Sequence, residues 1–140
     1  MQNNLQLALN IATKAHEGQL DKAGDPYIKH PIYVASLVNT ETEKIVALLH
    51  DVVEDTNVTL NDIKKYGFGE PITEALTLLT HNKNIPYFEY INKIKNNSVA
   101  KNVKIADLTH NSDISRINKP TKKDLERTVK YKKALEILTN

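Results

Sequence analysis

The chain has no cysteine, no tryptophan, one methionine and four glycines in 140 residues. Without cysteine, neither disulfides nor thiolate chemistry can be invoked, and the redox compartment is unconstrained. Aromatic residues make up only 6%, and with so few glycines a β-sandwich or barrel is not expected. No apolar run approaches about 18 residues, so no membrane-spanning segment is expected. The N-terminus lacks the basic-then-apolar pattern of a signal peptide, and the expectation is a soluble, cytoplasmic protein. A formal net charge of +2 is too small to argue for nucleic acid by itself.

The charge is unevenly spread. Residues 93–140 carry 12 Lys/Arg against 5 Asp/Glu, whereas residues 1–92 carry 7 against 12. The lysines of 119–133 are spaced as a solvated helix face, with no interleaved aromatic beyond Tyr131, so nucleic-acid binding is not expected.

With 40% hydrophobic residues the chain suits one domain, residues 1–140, around one core. Helical periodicity runs through 3–16, with Leu5, Ala8, Leu9, Ala12 and Ala15 as its apolar positions. Gly18, Gly24 and Pro26 break the pattern, and Pro31 suits the first position of a second helix to about Val38, with His30 at its mouth. Helices are further predicted over 42–53, from Thr59 to Gly67, over 70–80 and 87–96, from Ser98 to 111 with Val99, Val103, Ile105 and Ala106 inward, and from Thr121 to about Leu138. The fold class is all-α.

Inside this helical text, LLHDVVEDT at 48–56 places His50, Asp51, Glu54 and Asp55 in an otherwise apolar run. Residues four apart share a helix face, so His50–Glu54 and Asp51–Asp55 form two neighbouring rows. Leu48, Leu49, Val52 and Val53 surround them, which predicts a partly buried cleft. Unpaired carboxylates in low dielectric are strongly unfavourable. Mixed imidazole and carboxylate donors suit a divalent transition ion. An acidic helix end around a packed histidine would look the same over two residues, but two more acids at helical spacing favour the metal. His30, before Pro31, and Asp107, inside the apolar VKIADLTHN, complete a set of four ligands. Asn111 shares the face of Asp107.

The order His, His-Asp, Asp is that of the HD-domain metal-dependent phosphohydrolases. AHEGQLDKAGDPYIKHPIYVA, ALLHDVVEDT and VKIADLTHN resemble the three signature segments of the RelA/SpoT-type hydrolase domain, over residues 5–138. The resemblance implies a single HD-domain helical bundle, of the stand-alone small alarmone hydrolase type, that removes pyrophosphate from the 3′ position of (p)ppGpp. It assigns His30, His50, Asp51 and Asp107 to one metal ion, Mn²⁺. Glu54 and Asp55 take the place of the catalytic acidic pair that orients the attacking water and handles its proton. Lys22 and Asn111 fall where the family contacts the nucleotide, Tyr27 either flanks the base or packs under the metal loop, and Lys104 and Arg116 are phosphate candidates. Asp21, Leu108 and Asp113 stand where the family has basic residues. That departure keeps one alternative, an HD phosphohydrolase for another phosphorylated nucleotide such as NADPH; a non-catalytic nucleotide-binding module is a second, against which all four ligands and the acidic pair are retained. The partner implied is a small phosphorylated nucleotide, and a homo-oligomer is compatible with the pattern. His16, His81 and His110 are expected to be structural or incidental.

Overall fold

The computed structural model describes residues 3–140. Eight α-helices follow one another: α1 (Asn4–Ala15), α2 (Lys29–Ser36), α3 (Glu41–Asp55), α4 (Leu60–Lys65), α5 (Glu70–Leu79), α6 (Tyr87–Ile94), α7 (Ser98–Asn111) and α8 (Lys122–Thr139). A 3₁₀ turn, Ile114–Arg116, links α7 to α8. Among the described residues the one β-type pairing is an isolated Leu20–Pro26 bridge. No helix among them is long and apolar enough to cross a membrane.

α3 is the axis of the bundle. It packs against α1, α2, α5 and α7, and every residue from Ile45 to Val52 is buried. A stretch enclosed on all sides, as 45–52 is, shows no polar face, and that is why its apolar run continues unbroken into His50 and Asp51. The helix runs two residues beyond the predicted 53, to Asp55, and Thr56 closes it by donating its Oγ1–H to the Val52 carbonyl at 2.6 Å.

The start of α3 is a capping box that the motif TETE encodes: Glu43 N–H donates to Thr40 Oγ1, and Glu43 Oε1 accepts from Thr40 N–H at 3.1 Å. Glu43 Oε2 also accepts from Asn102 Nδ2 at 2.6 Å, which ties α3 to α7. The predicted caps at Thr59 and Thr121 form the same box with Asp62 and Asp124.

Two expectations shift. α2 begins at Lys29 rather than Pro31, because the Pro26 and Tyr27 carbonyls accept the Lys29 and His30 N–H groups at 3.1 and 3.0 Å. His30 and Pro31 therefore lie within its first turn, where proline's missing N–H costs nothing. On α7 the buried residues are Ala100, Val103, Ala106, Asp107 and Leu108, while Val99 and Ile105 are only half-buried. Contacts with α2, α3, α5 and α8 set that arc, which the spacing of apolar residues alone does not.

The loop before α2 is a compact turn. Tyr27 N–H donates to the Gln19 carbonyl and Asp21 N–H to the Asp25 carbonyl, both at 2.8 Å. Gly24 turns it at φ 87°, a conformation natural to glycine. This loop delivers Lys22 and Tyr27 to the mouth of the bundle.

Burial pushes the Glu43 carboxyl up, but hydrogen bonds from Asn102 and Thr40 outweigh it and hold the group below its ordinary 4.5. The folded state then binds this proton less readily than the unfolded chain. Its stabilisation is complete above pH 4.5 and is lost as pH falls further, through the folded value. Glu43→Gln is expected to cost about 1–2 kcal/mol at pH 7. Thermal melts from pH 3 to pH 7 check this: the gap between wild type and variant should close on the acid side only.

Candidate functional site

α2, α3 and α7 converge on four buried polar side chains: His30, His50, Asp51 and Asp107, each less than a tenth exposed. One ligand atom from each lies within 4.8 Å of the others. His30 Nε2 is 2.8 Å from Asp107 Oδ1 and 3.6 Å from Asp51 Oδ2. His50 Nε2 is 3.2 Å from Asp51 Oδ1 and 3.4 Å from Asp107 Oδ1. Both imidazoles turn Nε2 inward because Nδ1 is held from behind. His50 Nδ1–H donates to the Ala47 carbonyl at 2.7 Å, and His30 Nδ1 shares a 2.7 Å hydrogen bond with His110 Nδ1.

The electrostatics of this point favour a cation. Of the two buried carboxylates, Asp107 faces a lysine, Lys104, whose Nζ is 3.2 Å from Asp107 Oδ2. Burial pushes Asp107 up, yet Lys104, His30 and His50 together hold it well below the ordinary carboxylate range. Burial lowers His50, but Asp51 and Asp107 overcome it and raise the imidazole to about 9. A divalent cation held at this point would answer the same excess of negative charge. Two Nε2 donors and two carboxylates form the mixed N/O set that such ions prefer. Outside the four, Tyr27 O–H donates to Asp51 Oδ2 at 2.7 Å and Asn111 Nδ2 to Asp107 Oδ1 at 3.2 Å. Burial, then Asp51, raises Tyr27, so it remains a donor.

Glu54 and Asp55 stand one helical turn beyond, at the solvent-facing end of α3. Glu54 Oε1 accepts the His81 backbone N–H at 2.8 Å. Partial loss of water raises both carboxyls above their ordinary values. The two line a cavity of about 340 Å³ together with Asp51, Asp107, Lys104 and Tyr27. A second cavity of about 280 Å³ shares Tyr27, Asn111 and Tyr131 with it and extends toward α8. Lys22 and Arg116 both line this second cavity, but each faces an acid: Lys22 Nζ donates to Asp124 Oδ1 at 2.6 Å and Arg116 to Asp21 Oδ2 at 3.3 Å. The acid at position 21 therefore engages a cation of this second cavity.

All three remaining histidines have structural roles beside the site. His110 lies nearly coplanar with His30, edge to edge with ring centroids 4.9 Å apart, against the tilted ring of Tyr33, and is held down to about 4 by burial and by Arg116 and His30. The i, i+3 spacing of Asp107 and His110 is the signal in the sequence that puts both on one side of α7. His81 anchors Glu54 through its backbone and stacks on Tyr90 at 4.4 Å. His16 packs 4.8 Å from the Tyr27 ring. Nothing in local spacing announces the last two.

The HD-domain family pattern matches residues 8–130, and the chain belongs to that family. Human guanosine-3′,5′-bis(diphosphate) 3′-pyrophosphohydrolase MESH1 is 36% identical over 117 residues, 74% of this chain and 65% of that protein. The 3′-pyrophosphohydrolase of Haemophilus influenzae is 44% identical over 70 residues, 47% of this chain. The bifunctional (p)ppGpp synthase/hydrolase SpoT of Escherichia coli is 41% identical over 76 residues. The match spans only about a tenth of the length of these bacterial relatives: 10% and 11%. A solved structure of a metazoan SpoT ortholog that hydrolyses ppGpp superposes with a TM-score of 0.77 at 25% identity, over 99% of this chain and 86% of that one.

Metal titration checks the cluster directly. Mn²⁺ is expected to raise the melting temperature of the protein and EDTA to reverse the rise, with both effects absent in Asp51→Ala. His110→Ala should keep the fold yet weaken Mn²⁺ affinity about 10–100-fold, read by calorimetry, because the His30 ring loses the partner that orients it.

Proposed function

We propose that this protein is a divalent-metal-dependent phosphohydrolase that removes pyrophosphate from the 3′ position of guanosine 3′,5′-bis(diphosphate) and its pentaphosphate analogue, with Mn²⁺ as its metal. The observation that carries this reading is the buried four-donor cluster with a carboxylate pair one turn further along α3. That arrangement supports metal-assisted phosphoryl chemistry; the relatives named 3′-pyrophosphohydrolases support the substrate class. The 140 residues act as one HD-type hydrolase domain, and a free-nucleotide substrate suits a cytoplasmic location.

His30, His50, Asp51 and Asp107 would hold the metal. When bound there, a divalent cation polarises a phosphoryl oxygen and acidifies water. The rest is the work of the chain. Glu54, fixed by the His81 N–H, takes the proton of the attacking water, and its raised carboxyl makes it a better proton acceptor than an ordinary glutamate. Asp55 orients that water from the same rim. The water oxygen bonds to the phosphorus carried by ribose O3′, the O3′–P bond breaks, and O3′ leaves with the proton that Glu54 took from the water. The tetraphosphate then gives GDP and pyrophosphate. Lys104, which Asp107 keeps charged although burial opposes it, adds a fixed positive field behind the phosphoryl group. Tyr27, Asn111, Lys22 and Arg116 line the route along which the nucleoside extends.

A second reading rests on a specific observation: Asp21 engages Arg116, and with Leu108 and Asp113 it replaces the basic residues of the RelA/SpoT-type segment. The same chemistry would then act on another phosphorylated nucleotide such as NADPH.

Release of phosphate and pyrophosphate from ppGpp, GTP, GDP and NADPH, with Mn²⁺ or with EDTA, separates the two. The expected result is EDTA-sensitive pyrophosphate from ppGpp alone. Metal-dependent release from NADPH without release from ppGpp would move the substrate to the second reading. Glu54→Gln should lower kcat about 10²–10⁴-fold while Mn²⁺ affinity stays at the wild-type value.

A further inference from the structure

Five cations line the two connected cavities: Lys22, Arg116 and Arg127 in one, Lys104 and Lys130 in the other. Four of them face a carboxylate. Lys22 and Arg127 lie 2.6 and 3.7 Å from Asp124, Arg116 lies 3.3 Å from Asp21, and Lys104 lies 3.2 Å from Asp107. Lys130, on the exposed side of α8, has no acid partner among the described residues. Its Nζ rests 4.4 Å from the Tyr87 ring centroid and 5.8 Å from that of Tyr131. Tyr87 and Tyr131 line the cavity with Asp51, Glu54 and Asp107. The hydroxyl of Tyr87 is buried and has no partner within the protein.

Aromatic faces attract an ammonium without supplying a hydrogen-bond acceptor of full charge. They hold Lys130 at the cavity while leaving its donors available to an anion. A phosphate group approaching Glu54 and Asp55 meets strong repulsion, and a cation lining the same cavity offsets it. Carboxylate-engaged lysines cannot do this at the same strength, because a phosphate must first compete with their partners.

We propose that Lys130, seated on Tyr87 and Tyr131, is the residue that grips the substrate's pyrophosphate at the cavity mouth. The inference deepens the phosphohydrolase reading and rests on it for the identity of the substrate, although the anion-binding role stands apart from that identity. A lysine ammonium that donates to phosphate makes a charge-assisted hydrogen bond, so its loss is expected to weaken binding about tenfold or more.

The test uses the full chain loaded with Mn²⁺. Binding of inorganic pyrophosphate is measured by calorimetry for wild type, Lys130→Gln and Lys130→Arg, beside KM and kcat on ppGpp and Mn²⁺ affinity. The expected result is pyrophosphate affinity lower by about tenfold and KM higher in Lys130→Gln, both recovered in Lys130→Arg, with kcat and Mn²⁺ affinity unchanged. Pyrophosphate affinity and KM within twofold of wild type in Lys130→Gln would overturn the proposal. If wild type leaves ppGpp intact while pyrophosphate binding still depends on Lys130, the substrate assignment falls and the grip stands.

Discussion

The structure depends on accommodating two buried carboxylates, Asp51 and Asp107, at the point where α2, α3 and α7 meet. Neither could remain ionised there alone, since an isolated charge in a protein interior loses far more hydration than packing returns. Lys104, two inward-turned imidazoles and the Tyr27 hydroxyl surround them, and the remaining imbalance is what a divalent cation would satisfy. The site is thus part of the core rather than an addition to its surface. His50 and Asp51 are flanked by Leu48, Leu49 and Val52 in the same buried stretch of the same helix.

Because α3 serves both as the central packing element and as the carrier of the HD pair, its position must be determined at both ends. The capping box at Thr40–Glu43 and the Asn102 bond fix its start against α7, while Thr56 closes its end just past the acidic pair. Errors in the axial placement of α3 would displace the acids and the donors together. Glu54 gains a further constraint from the His81 backbone, so the loop between α5 and α6 helps to aim it.

Charge on the two connected cavities is divided by kind. On the α8 side, acids and bases neutralise one another: Asp21 with Arg116, and Asp124 with Lys22 and Arg127. On the metal side Lys104 is tied to Asp107, and Lys130 rests on tyrosine faces. The net charge left available on the metal-cluster cavity is therefore positive at Lys130 alone among these five cations. The acid at position 21, which departs from the RelA/SpoT-type pattern, is therefore integrated into the wall through Arg116.

The all-α class, the eight helical segments and the candidate donors were legible in the sequence because they depend on local periodicity. Glu54 and Asp55 follow His50 and Asp51 at one-turn spacing, and a helix alone brings those rows together. His30 and Asp107 were legible as candidates because a histidine at a helix entrance and an acid inside an apolar helix need a reason. Tertiary structure alone decided what meets across helices. His30 and His110 are 80 residues apart, Lys22 and Asp124 are 102 apart, and the direction of each side chain follows from how α2, α7 and α8 cross. Spacing along the chain records which face a residue occupies, but not which other face it will meet. That is why the donors could be named from the sequence, while the partners that orient them, and the cavity lysine without an acid partner among the described residues, emerged only from the packing.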